Sequence, residues 1–318
     1  MKTMRRKRNR NKRIVTIAVM LLLCLLAGLY IVKTVNKRAE EAREAELAEQ
    51  QAQEEAARAE EAAKAEEASA KKANRVYAYR GSSDDGKFTM EAYENAVNAG
   101  AGTIVIPFVV SQDDTMYVAD DDYSQDLTGY AGYFSGMTDG QIDNLQTKSG
   151  TKVLKVSDVF DKFGGDVQYV LELKYTSERN LEALRKIIED HGNEDSIIVS
   201  SEFFKGLRTL EGSLPDVKKI FMCREESEFG EAKNLEFVDM IAVNSDILSE
   251  DYCKDAHDHD KKFGAWPLNT EEEVKKAIEM GADFFFTDEA TTAVKAEGGG
   301  DGGAGGDAEA DTEADAEE

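Results

Sequence analysis

Histidine, cysteine and proline each occur only three times in 318 residues, and tryptophan once. Three cysteines exclude a disulfide scaffold. Histidine is missing altogether before His191, which removes the commonest general acid and base from more than half of the chain. Basic side chains are also in the minority, 39 against 64 acidic ones, for a net charge of −25. That balance excludes nucleic-acid binding through a general basic surface.

The charge that is present is unevenly spread. Residues 1–38 carry +11, residues 39–72 carry −6 and residues 297–318 carry −9, which leaves −21 on residues 73–296. Only that middle stretch has mixed composition and hydrophobic patterning, and about 220 residues suffice for one sizeable core.

From Ile14 to Val32 the chain reads IVTIAVMLLLCLLAGLYIV, nineteen residues without a charge. At about 1.5 Å per helical residue this run is long enough to cross a bilayer. Eight basic residues precede it and three follow closely, so the expectation is a basic cytoplasmic tail (1–13), a single transmembrane helix (14–32) in the cell membrane, and an extracytoplasmic remainder. Leu23 before Cys24 speaks against a lipoprotein cleavage site. Within the stretch 33–72, residues 39–72 are rich in Ala and Glu, with strong helix propensity and many i,i+4 pairs but only Leu47 as a large apolar side chain. A solitary helical stalk is expected there, not a coiled coil. The acidic, Gly-rich end, 297–318, is expected to be disordered.

Within 73–296, β-rich runs alternate with helical patterns. The runs include VYAY at 76–79, TIVIPFVV at 103–110, VQYVLEL at 167–173, SIIVSS at 196–201 and FFFT at 284–287. Helical stretches such as MEAYENAVNAG and TEEEVKKAIEMG fall between them and end at Gly. Strand and helix repeated in this way predict a parallel sheet. Nine runs exceed a (β/α)8 TIM-type barrel by one, and MYVA at 116–119 is explained as the return arm of a hairpin across Asp113 and Asp114. An open doubly wound sheet is the alternative.

The order of short motifs narrows the reading. YRG at 79–81 ends the first strand, LELK at 171–174 and IIVSS at 197–201 end others, then come Ala265, Trp266 and Asn269, and finally GADFFFTD at 281–288. Together these resemble the glycerophosphodiester phosphodiesterase family over most of 76–290. The resemblance implies a barrel enzyme with a divalent metal on three carboxylates, an Arg and a Lys on the phosphate, and two histidines as base and acid. Carried over by position, Arg80, Glu172 and Lys174 are present. Tyr79 and Ala119 replace the two histidines, Val105 and Pro107 replace two metal carboxylates, and Lys87 stands where a Glu is expected. No Asp, Glu or His occurs between Glu94 and Asp113, so no shift of register on that strand restores the ligands. Glu172 alone is a poor cage for a hard cation, and no cofactor is expected. The domain therefore reads as a pseudoenzyme, a binding or scaffolding module with a cell-envelope or protein partner and with Arg80, Lys174 and Trp266 as candidate ligand contacts. One alternative is a divergent phosphodiesterase of lipid metabolism using Ca²⁺ or Mg²⁺ with Glu172 and the Asp120 cluster. Another is a structural envelope spacer.

Other candidates have plainer readings. Glu172 is expected to pair with Arg80 or Lys174 at the barrel mouth. Asp120, Asp121, Asp122 and Asp126 lack the Gly and terminal Glu of a calcium loop, so a solvated acidic loop is expected. His257 and His259, two apart on a helix, face different ways. Cys223 and Cys253 are expected as free thiols, and Glu202 adds an acid at the rim.

Overall fold

The computed structural model describes residues 75–81, 86–191 and 196–298, together with the isolated positions Met20, Lys33, Thr34 and Arg58. Eight strands run parallel and close on themselves: β1 (Val76–Tyr79), β2 (Thr103–Val110), β4 (Gln168–Glu172), β5 (Ile197–Ser201), β6 (Lys218–Cys223), β7 (Met240–Asn244), β8 (Lys262–Trp266) and β9 (Phe284–Thr287). Closure is made where β1 pairs with both β9 and β2. The remaining strand, β3 (Met116–Val118), pairs antiparallel with β2 through Phe108–Val118 and Val110–Met116. The expected (β/α)8 barrel and its hairpin arm are both present, and the open sheet is not.

Local sequence explains the framework. Every residue of β2 is buried, as a strand covered on both faces should be. The helix after β1, α1 (Met90–Ala99), is opened by the Thr89 hydroxyl, which accepts from Ala92 N–H, and is closed by Gly100 in the left-handed region at φ 112°. The interior is filled from alternate positions, among them Tyr77, Val105, Val170, Ile198, Ile220 and Phe284. Tyr77 stacks on Phe284 with ring centroids 4.9 Å apart. A Cβ on Gly264 would lie 2.5 Å from the Phe284 carbonyl oxygen, so close packing of β8 on β9 needs glycine there.

Between β3 and α4 (Val156–Phe163) the chain makes a long excursion containing two one-turn helices, α2 (Gln125–Thr128) and α3 (Asp139–Ile142). It has its own small core of Val109, Tyr117, Ala119, Phe134, Met137 and Ile142. The outer layer continues through α5 (Glu178–His191), α6 (Phe204–Glu211), α7 (Glu226–Ala232), α8 (Glu250–Asp258), α9 (Glu271–Glu279) and α10 (Ala290–Gly298). In α9 the Thr270 and Glu273 side chains form a reciprocal capping box.

Helix α10 runs two residues beyond the expected domain end at 296, and the Glu297 carboxylate accepts from Arg75 N–H at 2.9 Å. That contact draws Glu297 into the domain. The expected transmembrane run 14–32 lies outside the described residues except for Met20, and so do most of the stalk 33–72 and residues 299–318. Among the described residues no helix is long and apolar enough to cross a membrane.

Candidate functional site

Parallel closure brings the C-terminal ends of eight strands to one rim, where barrel proteins carry their sites. Tyr79, Glu172, Met222, Trp266 and Phe286 reach that rim from five strands and line a cavity of about 230 Å³. Arg80, Lys174, Glu202, Arg224 and Asp288 follow strand ends and supply its charged wall.

The turn after β1 is tightly built. Arg80 has φ 62° and Gly81 φ 81°, and a Cβ on Gly81 would sit 2.6 Å from Ala92. A left-handed arginine is a local cost of about 1 kcal/mol or more. It is offset by what the side chain meets. The guanidinium lies over the rings of Tyr79 and Phe88 at 4.9 and 5.8 Å and bonds Asp120 at 3.2 Å, with Asp288 at 3.8 Å. Arg80 thus clamps β1 to the loop after β3 and to the end of β9. Of the two partners expected for Glu172, Arg80 or Lys174, it is Lys174 that pairs with it, because Asp120 and Asp288 occupy the guanidinium.

Glu172 is buried at the end of β4. Its Oε2 accepts from Tyr79 Oη at 2.8 Å, and its Oε1 lies 3.8 Å from Lys174 Nζ. Burial raises the Glu172 carboxyl above its ordinary value, with Lys174 and Tyr79 pulling the other way. The Tyr79 phenol is raised well above its ordinary value, first by burial and then by Glu172, so it stays protonated and donates. Asp288 is raised as well, by burial, against the pull of Arg80.

These donors do not suit the metal that the resemblance implies. Pro107 stands opposite Glu172 in the strand register and offers no side-chain ligand, and Val105 lies in the apolar interior. Glu172 itself is already bound by a phenol and an amine. Among the described residues no group of three His, Cys, Asp or Glu side chains is placed to hold a metal ion. Ala119 is packed into the small core of the excursion, its N–H bonded to the Pro107 carbonyl at 3.1 Å.

The acidic loop does not form a second cage. Asp120 goes to Arg80, Asp121 accepts from Tyr123 N–H at 2.8 Å, and Asp122 accepts from the Ser135 N–H and hydroxyl at 2.7 and 2.6 Å. His257 and His259 also part company. His257 Nε2 meets Asp283 at 2.7 Å, while His259 Nδ1 meets the Asp255 carbonyl at 2.7 Å. Cys223 and Cys253 are buried free thiols.

Two members of the mouth carry no expected role: Arg224 lies in no motif, and Asp288 enters only as the last residue of GADFFFTD at 281–288. Arg224 ion-pairs with Glu202, and Asp288 lies across Arg80. Both come directly after barrel strands, and that placement is the signal that could have found them.

The family model for the glycerophosphoryl diester phosphodiesterase family matches residues 80–292. No curated protein sequence is similar to the chain at a significant level. Among solved structures, an Oleispira antarctica phosphodiesterase in complex with the product sn-glycerol-3-phosphate is 18% identical, with TM-score 0.65 and coverage of 70% of this chain and 96% of that one. A glycerophosphodiester phosphodiesterase from Agrobacterium tumefaciens is 14% identical with TM-score 0.63, covering 71% and 99%. One from Thermotoga maritima is 21% identical with TM-score 0.59, covering 70% and 97%. At these identities the likeness is one of fold.

Proposed function

The chain belongs to the glycerophosphoryl diester phosphodiesterase family, and from that premise we propose that it is a catalytically degenerate member whose barrel is a binding or scaffolding module. Residues 14–32 anchor it in the cell membrane, residues 33–72 lift it from the surface, and the barrel faces an extracytoplasmic partner. The observation that carries this reading is the Tyr79–Glu172–Lys174 network. A metal cage and a general base would have to be built around Glu172. In their place stand a phenol that holds its proton and an ammonium that neutralises the carboxylate. General acid and base groups contribute about 10²- to 10⁴-fold each, and the other carboxylates of the mouth, Glu202 and Asp288, are ion-paired with Arg224 and Arg80. The remaining capacity of the mouth is to hold a ligand.

A second reading, a divergent phosphodiesterase, is favoured by one fact: Arg80, Glu172 and Lys174 still share one cavity. A single assay separates the two. The purified full chain is incubated with glycerophosphocholine and Ca²⁺ or Mg²⁺, beside Glu172→Ala. The binding module gives no release above that variant. Metal-dependent release that Glu172→Ala abolishes would establish the enzyme instead.

A further inference from the structure

The mouth has an unusual balance. Each cation in its wall already has a carboxylate: Arg80 has Asp120 and Asp288, Lys174 has Glu172, and Arg224 has Glu202. An anion entering the cavity must displace one of these carboxylates and then sit beside the others, on a domain carrying −21. A cation meets the converse obstacle, since each of those carboxylates already holds a base.

Several polar atoms are nevertheless unspent. Arg80 Nε and Asp288 Oδ1 face each other at 3.8 Å, ion-paired but too far apart for a hydrogen bond, while Trp266 Nε1 in the cavity wall is buried without a hydrogen-bond partner, and so is Ser200 Oγ, next to Glu172 in the strand register. A buried group left in that state costs about 1–3 kcal/mol, so donors and acceptors both stand to gain from a ligand. Hydroxyl groups do both at once. The rest of the wall is aromatic and apolar, with Trp266, Tyr79, Phe286 and Met222.

The cavity does not end at that wall. Lys174 is shared with a second, wider recess of about 750 Å³, which is lined by Lys87 and Lys148 as well as by Asp120, Asp121, Asp126 and Leu127 of the excursion. The same loop carries an aromatic rim. Tyr123 and Tyr133 have ring centroids 5.2 Å apart, and Tyr130 and Tyr133 are 54% and 61% exposed. Tyr175, next to Lys174, accepts from Asp122 N–H at 3.1 Å and so joins the rim to the end of β4. Exposed tyrosines present a flat apolar face with a polar tip at small entropic cost.

We infer that the barrel mouth binds a neutral glycan chain, one sugar ring lying against Trp266 in the inner cavity and the following units running over Lys174 toward the tyrosine rim. The inference rests on the binding-module reading and names its ligand class. Charge compensation in the inner cavity disfavours a charged ligand there, the unspent donors and acceptors match hydroxyl groups, and the aromatic surfaces match the C–H faces of sugar rings.

Trp266 is the only tryptophan in the chain, so its fluorescence reports directly on the inner cavity. The full chain, purified in a detergent without a sugar headgroup, is titrated with maltohexaose, with an N-acetylglucosamine tetramer and with glycerol 3-phosphate. The expected result is a saturable change with at least one of the two glycans, of an affinity that added salt does not alter. In calorimetry Trp266→Ala, with its folding checked by circular dichroism, weakens that glycan by about tenfold, the upper range for loss of an aromatic contact. Tyr133→Ala, at an exposed position where folding is not at risk, weakens the oligomer more than the single sugar. No saturable response to either glycan overturns the inference. If glycerol 3-phosphate alone binds, the ligand class falls while the binding role stands. If a glycerophosphodiester is cleaved, the binding role itself falls.

Discussion

The two ends of the barrel carry contrasting constellations. At the N-terminal end, Cys253, His257 and Asp283 line up like a nucleophile, a base and an orienting acid, with Sγ 3.9 Å from Nδ1 and Nε2 2.7 Å from Oδ2. At the C-terminal end, Tyr79, Glu172 and Lys174 match no reaction, yet they line a cavity flanked by unspent polar atoms. The first set has suitable groups and no room. Cys253 is 3% exposed, its thiol is raised by burial, and a Cβ on Gly281 would lie 3.1 Å from its sulfur. A thiol held protonated and covered is inert. Asp283 is likewise committed to structure, since it also accepts from Phe263 N–H at 2.8 Å and so ties the start of β8 to β9. A site needs space as well as chemistry, and only the mouth has space.

This contrast can be broken first at the lower end. Asp283→Ala leaves Phe263 N–H without its side-chain acceptor and should destabilise the barrel by about 2 kcal/mol. The expected readout is a thermal midpoint lowered by several degrees with the Trp266 emission of the folded protein unchanged. A shift in that emission would mean that the two ends are coupled. At the mouth, Lys174→Ala removes the cation paired with Glu172. Because Lys174 is 30% exposed and the pair is partly screened, the loss should be smaller, about 1 kcal/mol. In a Glu172→Gln background the same substitution should cost less, and a double-mutant cycle by chemical denaturation measures the difference.

Glu172→Gln alone tests the electrostatics, and the sign is specific. A carboxyl whose folded value is raised favours the folded state when protonated, and this contribution is lost as pH rises through that folded value. Glu172 titrates above its ordinary 4.5, so at neutral pH its charge opposes folding. Glutamine keeps an acceptor for the Tyr79 hydroxyl without the charge. The variant should be more stable than the parent at neutral pH, and the gap should close as pH falls through the folded value of Glu172. A gap constant with pH would show that the carboxylate is not held in the disfavoured form. The smallest effect is expected at Cys253: iodoacetamide should leave it unmodified in the folded chain, and His257→Gln should not change that. Fast, His257-dependent alkylation would turn the lower constellation into a reactive site.

Much of this was legible in the primary structure. The alternation of apolar runs and amphipathic helices placed the strands to within a residue or two, because a parallel barrel strand must be apolar on both faces and each helix must bury one stripe. The surplus ninth strand resolved into the β2–β3 arm because Asp113 and Asp114 mark a turn. The cavity was less legible. Arg80 could be read as a mouth residue but not its choice of Asp120 and Asp288 over Glu172, since those two come from loops after other strands. Arg224 follows its strand without a motif that distinguishes it from an ordinary surface charge, and Asp288, though it closes the GADFFFTD motif, gives no sign there that it meets Arg80.

By its own order of residues, then, the chain determined an eight-stranded barrel, the family to which it belongs, and the residue types at Tyr79, Ala119, Val105 and Pro107, none of which is a histidine or a carboxylate. Those are properties of periodicity and of residue type at given positions, and no tertiary contact alters them. Only the closed tertiary structure decided that each cation at the mouth meets a carboxylate, that Trp266 keeps its indole N–H unspent beside a cavity, and that Cys253 and His257 align without one. Charge pairing and burial depend on which strand ends become neighbours around the rim, and that adjacency exists only once the sheet has closed.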